Sequence, residues 1–95
     1  MSEFKPLDPL LHSQLRLAVM SLLISVEQAE FTFLKEKTES TAGNLSVQLD
    51  KLEKAGYLEI EKSFRGKRPL TKAKITSHGI RAFEAYVNAL KNYIG

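Results

Sequence analysis

Apolar residues along this chain follow two periods, and the changes of period mark its elements. From Pro9 to Val26, Leu11, Leu15, Ala18, Leu22 and Ser25 fall three and four apart, the spacing of one helical face. Asp8-Pro9 offers a start for that helix, with Asp as N-cap and Pro at the first helical position. A short second helix is predicted from Thr32 to Thr38, capped by Thr32, with room for a short strand before it. A third runs from a Ser40 or Thr41 cap to Lys54 or Ala55. It presents Ala42, Leu45, Leu49 and Leu52 inward and stops at Gly56. From Tyr57 to Phe64 the period drops to two, which predicts a half-buried strand. Arg65-Gly66-Lys67-Arg68-Pro69 reads as a turn, and Leu70 to Ile75 as the returning strand. Thr76 caps a last helix, with one seam at Ile80, Phe83, Val87, Leu90 and Ile94 and a second strip at Ala82, Tyr86, Ala89 and Tyr93. The expected fold is mainly α with one small β-hairpin (α+β). It forms a single domain over residues 8–94, preceded by a loose arm over 1–7.

The apolar arcs of the first and last helices are wider than the ~100° that one small core requires. That excess predicts contact with a second copy of the chain. The residues expected there are Leu10, Leu11, Leu17, Met20 and Ile24 of the first helix, and Phe83, Tyr86, Val87, Leu90, Tyr93 and Ile94 of the last. A chain of 95 residues with 43% apolar composition builds one core but buries a modest fraction of its surface.

Charge sharpens the picture. Residues 62–74 hold six basic side chains (Lys62, Arg65, Lys67, Arg68, Lys72, Lys74) and no acid, whereas acids outnumber bases elsewhere. The net +3 is therefore gathered on the hairpin, and the pI of about 9.3 favours a polyanionic partner. The sequence has no cysteine, which excludes a disulfide framework, a thiolate zinc site and a cysteine redox sensor. No apolar run approaches the ~20 residues of a membrane span. The opening MSEFKPLDP lacks the layout of a secretory leader, so the cytoplasm is the expected compartment. There is no glycine-rich phosphate loop, metal triad or nucleophile with its base, so neither a cofactor nor an enzyme activity is expected. His12 and His78 stand far apart and read as surface or helix-end residues.

The stretches LLHSQLRLAVMSLL, LSVQLDKLEKAGYLEI and FRGKRPLTKAKITSHG, in that order, resemble the MarR-type winged helix-turn-helix transcriptional regulators, and in particular their compact members of about 100 residues. The resemblance covers residues 8–94. It implies a homodimer joined through its terminal helices on a pseudo-palindromic operator, with the third helix in the major groove and the hairpin as a wing. Asn44 and Gln48, four apart on that helix, would then offer amides to the N6/N7 edge of adenine, and Val47 a contact for a thymine methyl. Gly43 leaves room for close approach. Ser40, Thr41, Ser46 and Lys51 suit phosphates, as do Lys62, Lys72 and Lys74, while Arg65, Lys67 and Arg68 suit flanking phosphates or the minor groove. Larger members of the family often carry an effector cleft, but no polar cluster here marks one, so whether a small molecule is sensed stays open. So does a plainer reading. Lysines on edge strands also block aggregation, and winged helices also serve as protein-interaction modules that touch no nucleic acid.

Overall fold

The chain enters its first helix later than Asp8-Pro9 predicts. In the computed structural model, which describes residues 4–95, Asp8 closes a separate turn. Its side chain accepts the Leu10 N–H at 2.9 Å, and its carbonyl accepts those of Leu11 (3.1 Å) and His12 (2.9 Å). Arg16 Nε donates to the Leu10 carbonyl at 2.5 Å. That occupies the acceptor a helix continuing from Pro9 would have given to the Gln14 N–H. The helix therefore begins at Gln14, after an extended Ser13.

The elements follow as α1 (Gln14–Val26), β1 (Gln28–Glu30), α2 (Phe31–Thr38), α3 (Ala42–Lys54), β2 (Leu58–Arg65), β3 (Arg68–Ile75) and α4 (Ser77–Ile94). Helix α2 starts one residue before the expected Thr32 cap. The chain passes straight from β1 into it, with Glu30 at the cap position and no side-chain cap bond. The turn of the hairpin is also tighter than expected. Arg65 pairs with Arg68 across Gly66-Lys67, Gly66 takes a φ of +64°, and Pro69 lies in β3 opposite Phe64. Pro69 is tolerated because β1 pairs only with residues 72–74 of β3, so no neighbour on that side asks for its missing N–H. The antiparallel sheet has the order β1-β3-β2.

Helix α1 runs through the middle of the molecule and touches α2, α3, α4, β1 and β3. This explains most of its wide apolar arc. Val19, Met20 and Leu23, together with Leu11, are fully buried against Leu34, Leu45, Leu52 and Leu58. Helix α3 turns Leu45, Leu49 and Leu52 inward as expected, but Ala42, at its first position, is exposed. On α4 the strip of Ala82, Tyr86 and Ala89 faces the core. Tyr86 and Ala89 are buried, with Ala82 half-buried beside them, whereas Ile80 and Ile94 of the neighbouring seam are exposed. The start of α4 lies so close to the chain at Tyr57 that a Cβ on Gly79 would sit 2.3 Å from the Tyr57 carbonyl oxygen. Glycine is required there. From Phe4 onward the expected arm lies along the end of α4. The Phe4 and Tyr93 rings are 4.8 Å apart, and the Tyr93 hydroxyl donates to the Lys5 carbonyl at 2.9 Å. Residues 1–3 of that arm lie outside the described residues.

Candidate nucleic-acid interface

Helix α3 is anchored at its start by Thr41, whose hydroxyl accepts the Asn44 N–H at 3.1 Å. Of the two caps the sequence offers, Ser40 and Thr41, the structure uses Thr41, which satisfies one of the helix's free donors. Gly56, at φ +81°, terminates the chain segment after the helix. Three buried leucines then fix which face is left over. Asn44 and Ser46 are exposed, Val47 is 51% exposed, Lys51 is exposed and Gln48 is half-buried. Gly43 is exposed as well, and a Cβ added to it would meet nothing within 4 Å, so the chain's own packing does not demand glycine there. Ser40 is half-buried, with its hydroxyl 2.8 Å from that of Thr38.

The exposed amides are not independent. Gln48 Nε2 donates to Asn44 Oδ1 at 3.0 Å, and the Arg16 guanidinium donates to Gln48 Oε1. Arg16 was not among the residues singled out from the sequence. It sits in a helix read for its apolar stripe, and its partner is 32 positions away. The acid on α3 nearest this surface, Asp50, is paired with Lys54 at 2.9 Å. The hydrogen bond and charge of Asp50 hold the Lys54 ammonium above its usual pKa.

The six hairpin cations separate into four groups. Lys62 lies on the sheet face that carries Leu58 and Ile60. It helps line a cleft of about 330 Å³ between the hairpin and α3, with Ser46, Asp50 and Glu53 on the opposite wall. Lys67 and Arg68 are exposed at the tip. Arg65 is turned back to Glu30, with Nη2 and Oε2 2.9 Å apart. Lys72 and Lys74 lie on the other sheet face. There Lys72 stands between Glu61 and Glu30 in register, and Lys74 between Glu59 and Gln28. A window along the chain shows no acid in this stretch, yet strand pairing brings three carboxylates beside two lysines. The basic surface is thus narrower than the sequence implies, and centres on the tip.

Of the residues expected at a subunit contact, Leu11, Met20 and Tyr86 are instead covered by the chain's own core. Burial, not contact with a second chain, accounts for them. Leu10, Leu17, Phe83, Val87 and Leu90 are half-buried, while Ile24, Tyr93 and Ile94 are exposed. Ile24, Phe83 and Val87 line an open cleft of about 380 Å³ together with Glu84 and Asn88. His12 Nδ1 lies 3.0 Å from the Tyr86 hydroxyl, and His78 packs edge-on against Tyr57. Among the described residues no helix is long and apolar enough to cross a membrane.

Four helices, the third capped and carrying Asn44 and Gln48 at its surface, and a basic two-stranded hairpin agree with a family model described as winged helix DNA-binding domain, which matches residues 15–94. The chain belongs to that family. An uncharacterised protein of Methanocaldococcus jannaschii is 42% identical over 76 residues, 80% of this chain and 83% of that one. A transcriptional regulator homologue from Pyrococcus horikoshii OT3 shares the winged helix at a TM-score of 0.83 and 28% identity, over 90% of this chain and 84% of its own. The YusO protein of Bacillus subtilis, a MarR-family-like neighbour, superposes at a TM-score of 0.69 and 19% identity, over 93% of this chain and 58% of its own. At that identity the likeness is one of fold.

Proposed function

We propose that this winged helix is a sequence-specific regulator of transcription that binds double-stranded DNA as a homodimer and represses by occupying a pseudo-palindromic operator. The observation that carries the reading is a capped helix whose core leucines leave Asn44 and Val47 exposed and Gln48 half-buried, packed beside a hairpin that exposes Lys67 and Arg68 at its tip. A helix of this diameter fits a major groove about 12 Å wide, and a hairpin beside it reaches the flanking backbone. Lys67 and Arg68 at the tip, with Lys51 on α3, supply the phosphate contacts. The partner copy would meet the face around Ile24, Phe83 and Val87, which places two α3 helices on half-sites about one turn, ~10 bp, apart.

The mechanism is occupancy of DNA that polymerase would otherwise use, with no chemical step. The test is comparative. A high-affinity duplex is selected from a random pool, and Asn44→Ala and Gln48→Ala are titrated against it and against unselected duplex. Each substitution should cost ~1–3 kcal/mol on the selected site and much less on the unselected one. Equal losses on both duplexes would remove these amides from base recognition.

A further inference from the structure

The hydrogen-bond chain Arg16–Gln48–Asn44 has a direction, and the direction is set by chemistry. Guanidinium has donors only, whereas an amide has one acceptor oxygen and one donor nitrogen. Because Arg16 donates to Gln48 Oε1, the Gln48 amide must turn its nitrogen away from Arg16, and Nε2 then donates to Asn44 Oδ1 at 3.0 Å. Gln48 engages one of the two lone pairs of the Asn44 carbonyl oxygen and holds that oxygen on its own side, so the group Asn44 turns toward an incoming partner is its NH2. Arg16 is itself held in place, since its Nε donates to the Leu10 carbonyl at the break before α1. Asn44 lies in the first turn of α3 and is exposed, the position from which a recognition helix meets base edges.

We infer that Arg16 is a positioning residue for base specificity: it orients Gln48 and Asn44 so that Asn44 turns its oxygen toward Gln48 and its NH2 outward, and the protein selects guanine rather than adenine at the Asn44 position. Bidentate reading of adenine needs one amide to offer both a donor to N7 and an acceptor to the N6 amino group. An asparagine whose oxygen is turned back to Gln48 aims its acceptor away from N6 and does this poorly. Guanine presents two acceptors, O6 and N7, at the same edge and suits an outward NH2 group. The inference rests on the DNA-binding reading above, and it replaces the adenine preference that the amide types alone suggest.

The experiment is selection from a randomised duplex pool with the wild-type chain and four variants, followed by anisotropy titration of the selected site and its single-base changes. Asn44→Ala identifies the base position that Asn44 reads, as the one whose preference it abolishes. At that position the wild type should favour guanine over adenine by about tenfold or more, the scale of a good base-edge contact. Arg16→Lys keeps a donor-only cation and should retain the preference. Arg16→Met keeps the stem without donors and should lose it, with affinity for unselected duplex nearly unchanged. Gln48→Glu accepts from Arg16 but cannot donate to Asn44, so Asn44 should turn its oxygen outward and the preference should move to a base that offers an amino group. This last variant lies on the helix surface and tests the relay even if Arg16→Met fails to fold. Adenine preferred by the wild type, or a base preference unmoved by both Arg16→Met and Gln48→Glu, overturns the relay while DNA binding stands. Failure of every duplex to bind overturns the DNA-binding reading, and the relay's role with it.

Discussion

Tyr57 ties three parts of the chain together through one side chain and its own carbonyl. Its hydroxyl donates to Asp8 Oδ2 at 2.5 Å, its ring meets His78, and its carbonyl accepts from the Thr76 N–H and hydroxyl. Burial, reinforced by the hydrogen bond and charge of Asp8, pushes the phenol pKa up to about 12. A folded-state pKa above the unfolded value of about 10 means that the protonated phenol favours the fold. Its contribution is complete below about pH 10 and is lost as pH rises through about 12. Tyr57→Phe should lower stability by ~1 kcal/mol at neutral pH and flatten the decline between pH 10 and 12, as read from urea midpoints across that range. An unchanged alkaline decline would mean that another group carries it. Neither this bond nor that of Arg16 to Gln48 is legible in the sequence, because the partners are 49 and 32 positions apart. The Thr41 and Thr76 caps were legible, because a cap and the N–H it accepts lie three residues apart.

Among the elements, period and capping located α3, β2 and α4 nearly to the residue. They misplaced the start of α1, where Arg16 takes the Leu10 carbonyl. They left open which strip of α4 faces the core, because two apolar strips run side by side and only the docking of α1 decides between them. For the hairpin, charge counted along the sequence overstated the basic surface. The acids that face Lys72 and Lys74 come from β1 and from the first half of β2, and enter only with strand register. Arg65 is likewise engaged by Glu30, an exposed pair of small energy that DNA phosphate can displace. Phosphate binding is therefore assigned chiefly to the tip. Replacing Lys67 and Arg68 together with alanine should weaken binding to selected and unselected duplexes alike. It should also reduce the slope of log affinity against log salt by about 4, two contacts being lost from each subunit of the dimer. A loss confined to the selected duplex would place these side chains on bases instead.

For the whole molecule, the half of the apolar excess that α1 carried is largely spent inside one chain, while α4 keeps its share outside. The open cleft lined by exposed Ile24 and half-buried Phe83 and Val87 is the part of that surface proposed for a second copy. Light scattering at tens of micromolar protein should give twice the 10.7 kDa chain mass. The double variant Ile24→Glu, Val87→Glu should give the single mass with helical content unchanged. A wild-type monomer at that concentration would remove the two-fold geometry from the proposal.

The central claim is that the hairpin tip and α3 together meet duplex DNA, and a fluorescence anisotropy titration of the wild-type chain against random duplex at several salt concentrations tests it most directly. With roughly six phosphates neutralised by the dimer, three by each subunit, binding should appear at micromolar protein in low salt and weaken by about a thousandfold between 50 and 200 mM salt. No binding at micromolar protein in low salt, or an affinity indifferent to salt, would contradict it.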